Sequence, residues 1–126
     1  MKIISRKLHG GLDYASALVL IASPWLFNFE DVSAAKTVAI AAGILILAMS
    51  LLTNYEAGAM KMIPMSLHLN ADVLLGIVLL LSPWLFGFSE QTYLFHVIMG
   101  LFAIGSGLLT TRESMAHRYD QHSMAK

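Results

Sequence analysis

Four apolar runs of helical length alternate with short polar breaks along the chain, at about Leu12 to Phe29, Ala34 to Leu52, Leu69 to Phe88 and Tyr93 to Leu109. At about 1.5 Å rise per residue, each run extends roughly 25 to 30 Å, close to the hydrocarbon thickness of a bilayer. The breaks after the first and third runs, Glu30-Asp31-Val32-Ser33 and Ser89-Glu90-Gln91-Thr92, are short enough to force antiparallel neighbours. Ser33 and Thr92 stand where N-caps of the following helices are expected. The pattern predicts an all-α membrane protein of four transmembrane helices arranged as two helical hairpins.

The hairpins are versions of one unit. His9 falls on His68, Asp13 on Asp72, Ser23 on Ser82 and Phe29 on Phe88 at an offset of 59 positions. From Gly43 on Gly100 to Glu56 on Glu113 the offset is 57, so the second copy has a shorter connection and intact hydrophobic runs. With two spans per unit the copies point the same way, which predicts pseudo-twofold symmetry about an axis along the membrane normal. The expected organisation is a single membrane domain over 1–126, with repeat one at about 8–56, repeat two at about 67–113 and a short cytoplasmic tail at 114–126.

Each first helix ends in Ser-Pro-Trp-Leu-Phe, at Ser23-Pro24-Trp25 and Ser82-Pro83-Trp84 with the Leu and Phe that follow. A proline in the last turn removes a backbone donor and bends or ends the helix. The preceding serine can bond back to a carbonyl one turn earlier, which offsets that loss where no water is present. Asn28 and Gly87, three residues past each Trp, are the residue types that best accept a left-handed helix end. Trp and Phe at such an end suit the lipid–water interface. Two hairpins with this doubled motif, and with Gly and Leu-Leu-Thr in the second helix, resemble the SPW-repeat family of small integral membrane proteins over about residues 8 to 113. The resemblance implies a membrane location and a paired-helix repeat, and it brings no activity, cofactor or ligand.

Composition narrows the class further. Hydrophobic residues make up 57% and charged residues 13%, with a mean hydropathy of +0.69, which places the chain among membrane proteins. The four runs leave no stretch long enough for a separate soluble core. The absence of cysteine excludes disulfides, thiolate metal sites and thiol nucleophiles. A formal net charge of zero gives no argument for nucleic acid as a partner. Lys2, Arg6, Lys7, Lys61, Arg112, Arg118 and Lys126 fall on one side of the predicted topology, against Lys36 on the other. By the positive-inside rule both termini and the central connection are cytoplasmic, in an expected bacterial inner membrane. Met1 to Ala22 has the make-up of a signal peptide, but the same block recurs internally around His68 to Phe88, so a retained first span is expected.

Residues able to carry chemistry are few. His9 with Asp13, and His68 with Asp72, are four apart and share a helix face. Twelve residues separate each Asp from its Trp, which places the carboxylates about 18 Å below the motif. An acid at that depth is costly unless paired or wetted. Such pairs suit a proton or cation relay, or a site at the pseudo-twofold axis between the halves; the simpler expectation is two helix-start acids stabilised by the positive helix end, each with its local His partner. His96 lies one turn before Gly100 and its counterpart is Ala39, so it stands outside the repeat; a bond to a carbonyl of the next helix is its simplest role. Haem ligation by His9, His68 or His96 is the remotest alternative, and His117 and His122 belong to the polar tail. Small residues at Ala35, Ala39 and Gly43, and at Gly100, Ala103 and Gly107, mark packing stripes within the chain or between chains.

Within the central connection, Thr53 to Leu67, the stretch Ala57 to Met65 is apolar yet broken by Gly58 and Pro64, and is expected to lie on the cytoplasmic interface. No phosphate loop, hydrolase signature or clustered metal-binding set is legible. The expectation is a non-enzymatic structural or accessory protein without a cofactor, partnered by the lipid bilayer and set in a homo-oligomer or a larger membrane complex. A small transporter or channel built on the His/Asp pairs is the alternative.

Overall fold

The computed structural model describes residues 3–53, 58–60 and 62–110. Lys2, Glu56, Ala57, Lys61 and everything beyond Thr110, including Arg112, Glu113, His117, Arg118, His122 and Lys126, lie outside the described residues, and with them most of the basic residues that argue the topology. The described chain is all-α, with four helices and no strand: α1 (Arg6–Leu26), α2 (Ser33–Leu52), α3 (Met65–Leu85) and α4 (Leu94–Leu109). Packing is most extensive within the α1/α2 and α3/α4 hairpins and lighter between α2 and α3.

Local chemistry sets the helix ends. The Ser5 side chain accepts from Leu8 N–H at 3.1 Å and caps α1. Ser33 and Thr92 do not act as side-chain caps: Ser33 is the first helical residue of α2, Val32 and Tyr93 hold the cap positions, and neither cap makes a side-chain hydrogen bond. At the other end of α1, Asn28 is left-handed at φ 58° and Phe29 N–H reaches back to Pro24 O at 2.8 Å. Gly87, at φ 73°, lets Phe88 N–H do the same to Pro83 O at 2.8 Å. Both are Schellman ends, which turn the chain sharply into the next helix and drive Phe29 and Phe88 into the core.

That core is built from Ala17, Leu20, Ala39, Ile46, Leu79 and the two phenylalanines. Small residues let the backbones approach: a Cβ on Gly43 would stand 2.8 Å from Ala17 O, and one on Gly100 would stand 2.5 Å from Leu80 N. The glycines of the two stripes are therefore used within the chain, each against the partner helix of its own hairpin, whereas Ala103 is only half-buried. The outward faces carry exposed Leu18, Ile44, Leu74, Leu101 and Leu108, an apolar exterior of the kind that faces lipid. By length and hydropathy, α2 and α3 can each cross a membrane; α4 is a shorter apolar helix, and α1 carries Arg6, Lys7 and Asp13 among its apolar residues.

The hairpins also join in matching ways. Ile63 N–H donates to Leu52 O at 2.8 Å where α3 follows α2, and Ile4 N–H donates to Leu109 O at 3.0 Å where α1 meets the end of α4. The segment ahead of each odd-numbered helix thus docks on the end of an even-numbered one. Met60 and Met62 of the central connection point outward, 56% and 69% exposed, while backbone bonds to Leu51 O and Leu52 O pin it against α2.

Candidate functional site: a buried His/Asp cluster

α1 and α3 bring their opening turns together at the end of the bundle away from the Ser-Pro-Trp motifs. His9, Asp13, His68 and Asp72 meet there, with both imidazoles fully buried and both aspartates 6% exposed. Sequence spacing pairs His9 with Asp13 and His68 with Asp72, and those contacts exist at 3.1 and 3.3 Å. The shorter contacts run between the hairpins, His9 Nε2 to Asp72 Oδ2 and His68 Nε2 to Asp13 Oδ2, both at 2.7 Å. The four atoms form a closed, alternating nitrogen–oxygen ring.

The outer ring nitrogens fix the proton arrangement. Thr53 Oγ1 donates to Met49 O, so it accepts from His68 Nδ1–H at 2.7 Å. Thr110 Oγ1 donates to Ser106 O at 2.6 Å and accepts from His9 Nδ1–H at 2.9 Å, with Ser106 Oγ also 2.9 Å from that nitrogen. With Nδ1 protonated, both Nε2 atoms face carboxylate oxygens, and each 2.7 Å contact must contain a proton held on one side or the other. Two imidazoles, two carboxyls and two shared protons make a neutral cluster, the arrangement a low-dielectric interior favours.

Surroundings of the two aspartates differ. Ser50 Oγ donates to Asp13 Oδ2 at 3.1 Å, and its counterpart in the second repeat is Gly107. Asp72 instead borders a groove of about 70 Å³ between α2 and α3, lined by Leu45, Ile46, Met49, Ala71 and Leu75. A cavity of about 10 Å³ touches both aspartates from the core side, next to Ser16 and Ser106, and is about the size of one water.

The model of the SPW repeat domain matches residues 7–110. The chain belongs to the SPW repeat family. Membership points to a membrane-associated protein and assigns no specific function. Comparison with curated proteins and with solved structures finds no match to either.

The motif that defines an SPW repeat protein is structural here. Pro24 has no N–H to offer Leu20 O, and Ser23 Oγ donates to that same carbonyl at 2.7 Å; Ser82 does so for Leu79 O beside Pro83, also at 2.7 Å. Serine thus supplies the donor that proline removes. Trp25 and Trp84 lie on the outer surface, 55% and 59% exposed, with Lys36 Nζ 5.4 Å from the first ring's centroid and Tyr93 6.4 Å from the second. His96 is buried between Phe29 and Phe88, at ring-centroid distances of 5.2 and 4.8 Å, and its Nε2–H donates to Ala35 O at 3.0 Å. It stands at the motif end of this SPW repeat protein, apart from His9 and His68. Four residues of the cluster's surroundings escaped the sequence reading: Ser50, Thr53, Ser106 and Thr110. The paired Leu-Leu-Thr motifs are a signal for Thr53 and Thr110, since they recur at the same repeat position and each threonine anchors one His.

Proposed function

We propose that this is a non-enzymatic integral membrane protein with a structural or accessory role, spanning the bilayer four times with both termini cytoplasmic. The observation that carries the reading is the crossed pairing of His9 with Asp72 and His68 with Asp13. His9, Asp13, His68 and Asp72 clasp one hairpin to the other, and removing one partner of such a pair costs about 3–5 kcal/mol. The repeated sequence, the matching Ile4 and Ile63 contacts and the crossed pairs support a pseudo-twofold axis along the membrane normal. A bacterial inner membrane is the proposed location. A homo-oligomer or a larger membrane complex is the proposed setting, to be read by native mass spectrometry from mild detergent.

Topology is directly testable because the chain has no cysteine. Ser33→Cys should react with a membrane-impermeant maleimide in intact cells, and Met60→Cys only after lysis; the reverse labelling would sink the orientation. The second reading, a small transporter or channel, is favoured by the groove that reaches Asp72. Proteoliposome flux separates the two. Proton or cation flux in the parent that vanishes in the Asp13→Asn/Asp72→Asn variant would replace the structural role with transport, whereas no flux from the parent supports the structural role.

A further inference from the structure

The two hairpins bring together four donors that no segment of the chain holds alone. The set is two imidazole nitrogens and two carboxylate oxygens, all buried, with the candidate ligand atoms within 4.8 Å of one another. Around the ring the neighbouring Nε2 and Oδ2 atoms stand 2.7, 3.3, 2.7 and 3.1 Å apart. Four ligands at about 2.0–2.2 Å from one ion lie about 2.9 Å apart when planar and about 3.4 Å apart when tetrahedral. The observed edges fall within a few tenths of an ångström of that range. Opposite ligands of such an ion stand about 4.2 Å apart when planar, so closing the observed spread of up to 4.8 Å takes side-chain shifts of about half an ångström to seat a first-row divalent ion at the centre.

The outer contacts match a metal centre as well. A ligating histidine ordinarily donates its other ring N–H to an oxygen that fixes the tautomer and the ring plane. His9 and His68 both do so, to threonine hydroxyls that are themselves held by backbone carbonyls. Ser50 plays the corresponding part for Asp13. Charge also balances: two carboxylates and two neutral imidazoles neutralise a divalent cation, so an ion replaces the two shared protons with no net charge left in the bundle. The small cavity against Asp13 and Asp72 offers room for one water on the ion. Mixed imidazole and carboxylate donors, without sulfur, select zinc and its first-row neighbours over magnesium and over copper(I).

We propose that His9, Asp13, His68 and Asp72 form a binding site for one first-row divalent transition-metal ion, taken up with release of the two protons that the crossed pairs share. The ion would cross-link the two hairpins in place of those protons. The proposal goes beyond the structural role, which stands with or without metal. It is independent of flux, since it concerns equilibrium binding.

The test uses the full chain in detergent, stripped with chelator, with Zn²⁺, Co²⁺ and Mg²⁺ as probes. Isothermal titration in two buffers of different ionisation enthalpy counts ions and protons, and the Co²⁺ form is read by its visible ligand-field bands. The expected result is one Zn²⁺ per chain with about two protons released, Co²⁺ bands of four- or five-coordinate type, and no Mg²⁺ uptake. The His117→Gln/His122→Gln variant should bind like the parent, which separates this site from tail histidines. The Asp13→Asn/Asp72→Asn variant should lose binding by at least a hundredfold; if it fails to fold, Ser50→Ala, which removes a hydrogen bond to Asp13 Oδ2 and leaves all four donors in place, should weaken binding several-fold. Zinc binding lost with the tail histidines, uptake without proton release, or no stoichiometric uptake by the parent would each overturn the proposal.

Discussion

Replacing Ser23 with alanine tests the Ser-Pro device at one atom, the carbonyl oxygen of Leu20. In the parent that oxygen is served by Ser23 Oγ at 2.7 Å, because position 24 is proline and carries no amide hydrogen. Ser23 is fully buried, so in Ser23→Ala no water reaches the orphaned carbonyl. A buried acceptor without a donor costs about 1–3 kcal/mol. Side-chain hydrogen bonds in membrane proteins lie towards the low end, about 0.6–2 kcal/mol, so about 1–2 kcal/mol is expected. Pro24→Ala restores an N–H that can bond Leu20 O directly, as in an uninterrupted helix. In that background Ser23→Ala should therefore cost close to nothing. Unfolding of the four proteins of this cycle in mixed micelles, followed by helical circular dichroism, should give a coupling of about 1–2 kcal/mol, since the residues share one acceptor. Additive effects, with Ser23→Ala equally costly beside Pro24 and beside Ala, would refute the shared-carbonyl reasoning.

Gly100→Ala should destabilise the α3/α4 hairpin by about 1–3 kcal/mol or more, because its Cβ would meet Leu80 N at 2.5 Å and Gly76 O at 2.7 Å, both backbone atoms that cannot step aside. Gly105→Ala, with nothing within 4 Å of the added carbon, should instead stabilise by about 0.5–1 kcal/mol in the same unfolding assay. Thr53→Val keeps the shape but removes the acceptor of His68 Nδ1–H; a loss of about 1–3 kcal/mol is expected, and an unchanged midpoint would show that the threonine does not hold the ring. A permutant opened between Glu56 and Ala57, with Lys126 joined to Met1, should fold and match the parent's helical circular dichroism, because Ile4 meets Leu109 as Ile63 meets Leu52. Its failure to fold would show that the two junctions are not equivalent.

The sequence by itself carried what local geometry controls. Four runs of helical length, two short links and a 59-position repeat specify two antiparallel hairpins, and Asn28 and Gly87 announce the left-handed ends found there. Proline's missing amide and serine's reach of one turn are likewise local, so the Ser23–Leu20 and Ser82–Leu79 bonds were legible before any fold. Ser33 and Thr92 do not cap as their residue types suggest, because backbone bonds from Val32 N–H to Phe29 O and from Thr92 N–H to Phe88 O set where each helix starts, and side-chain preference does not reveal them. The partners of the buried groups were settled only by the tertiary structure. Four-residue spacing puts His9 beside Asp13, but whether its strongest contact is Asp13 or Asp72 depends on how two hairpins lie across each other, which no periodicity encodes. The small-residue stripes pose the same difficulty: they state that something packs closely, and only the fold shows that Gly43 meets Ala17 and Gly100 meets Gly76 within one chain. Helix ends are set over a few residues by backbone dihedrals and hydrogen bonds; the cluster joins atoms 63 and 101 positions apart, and only the packed bundle brings them within bonding distance.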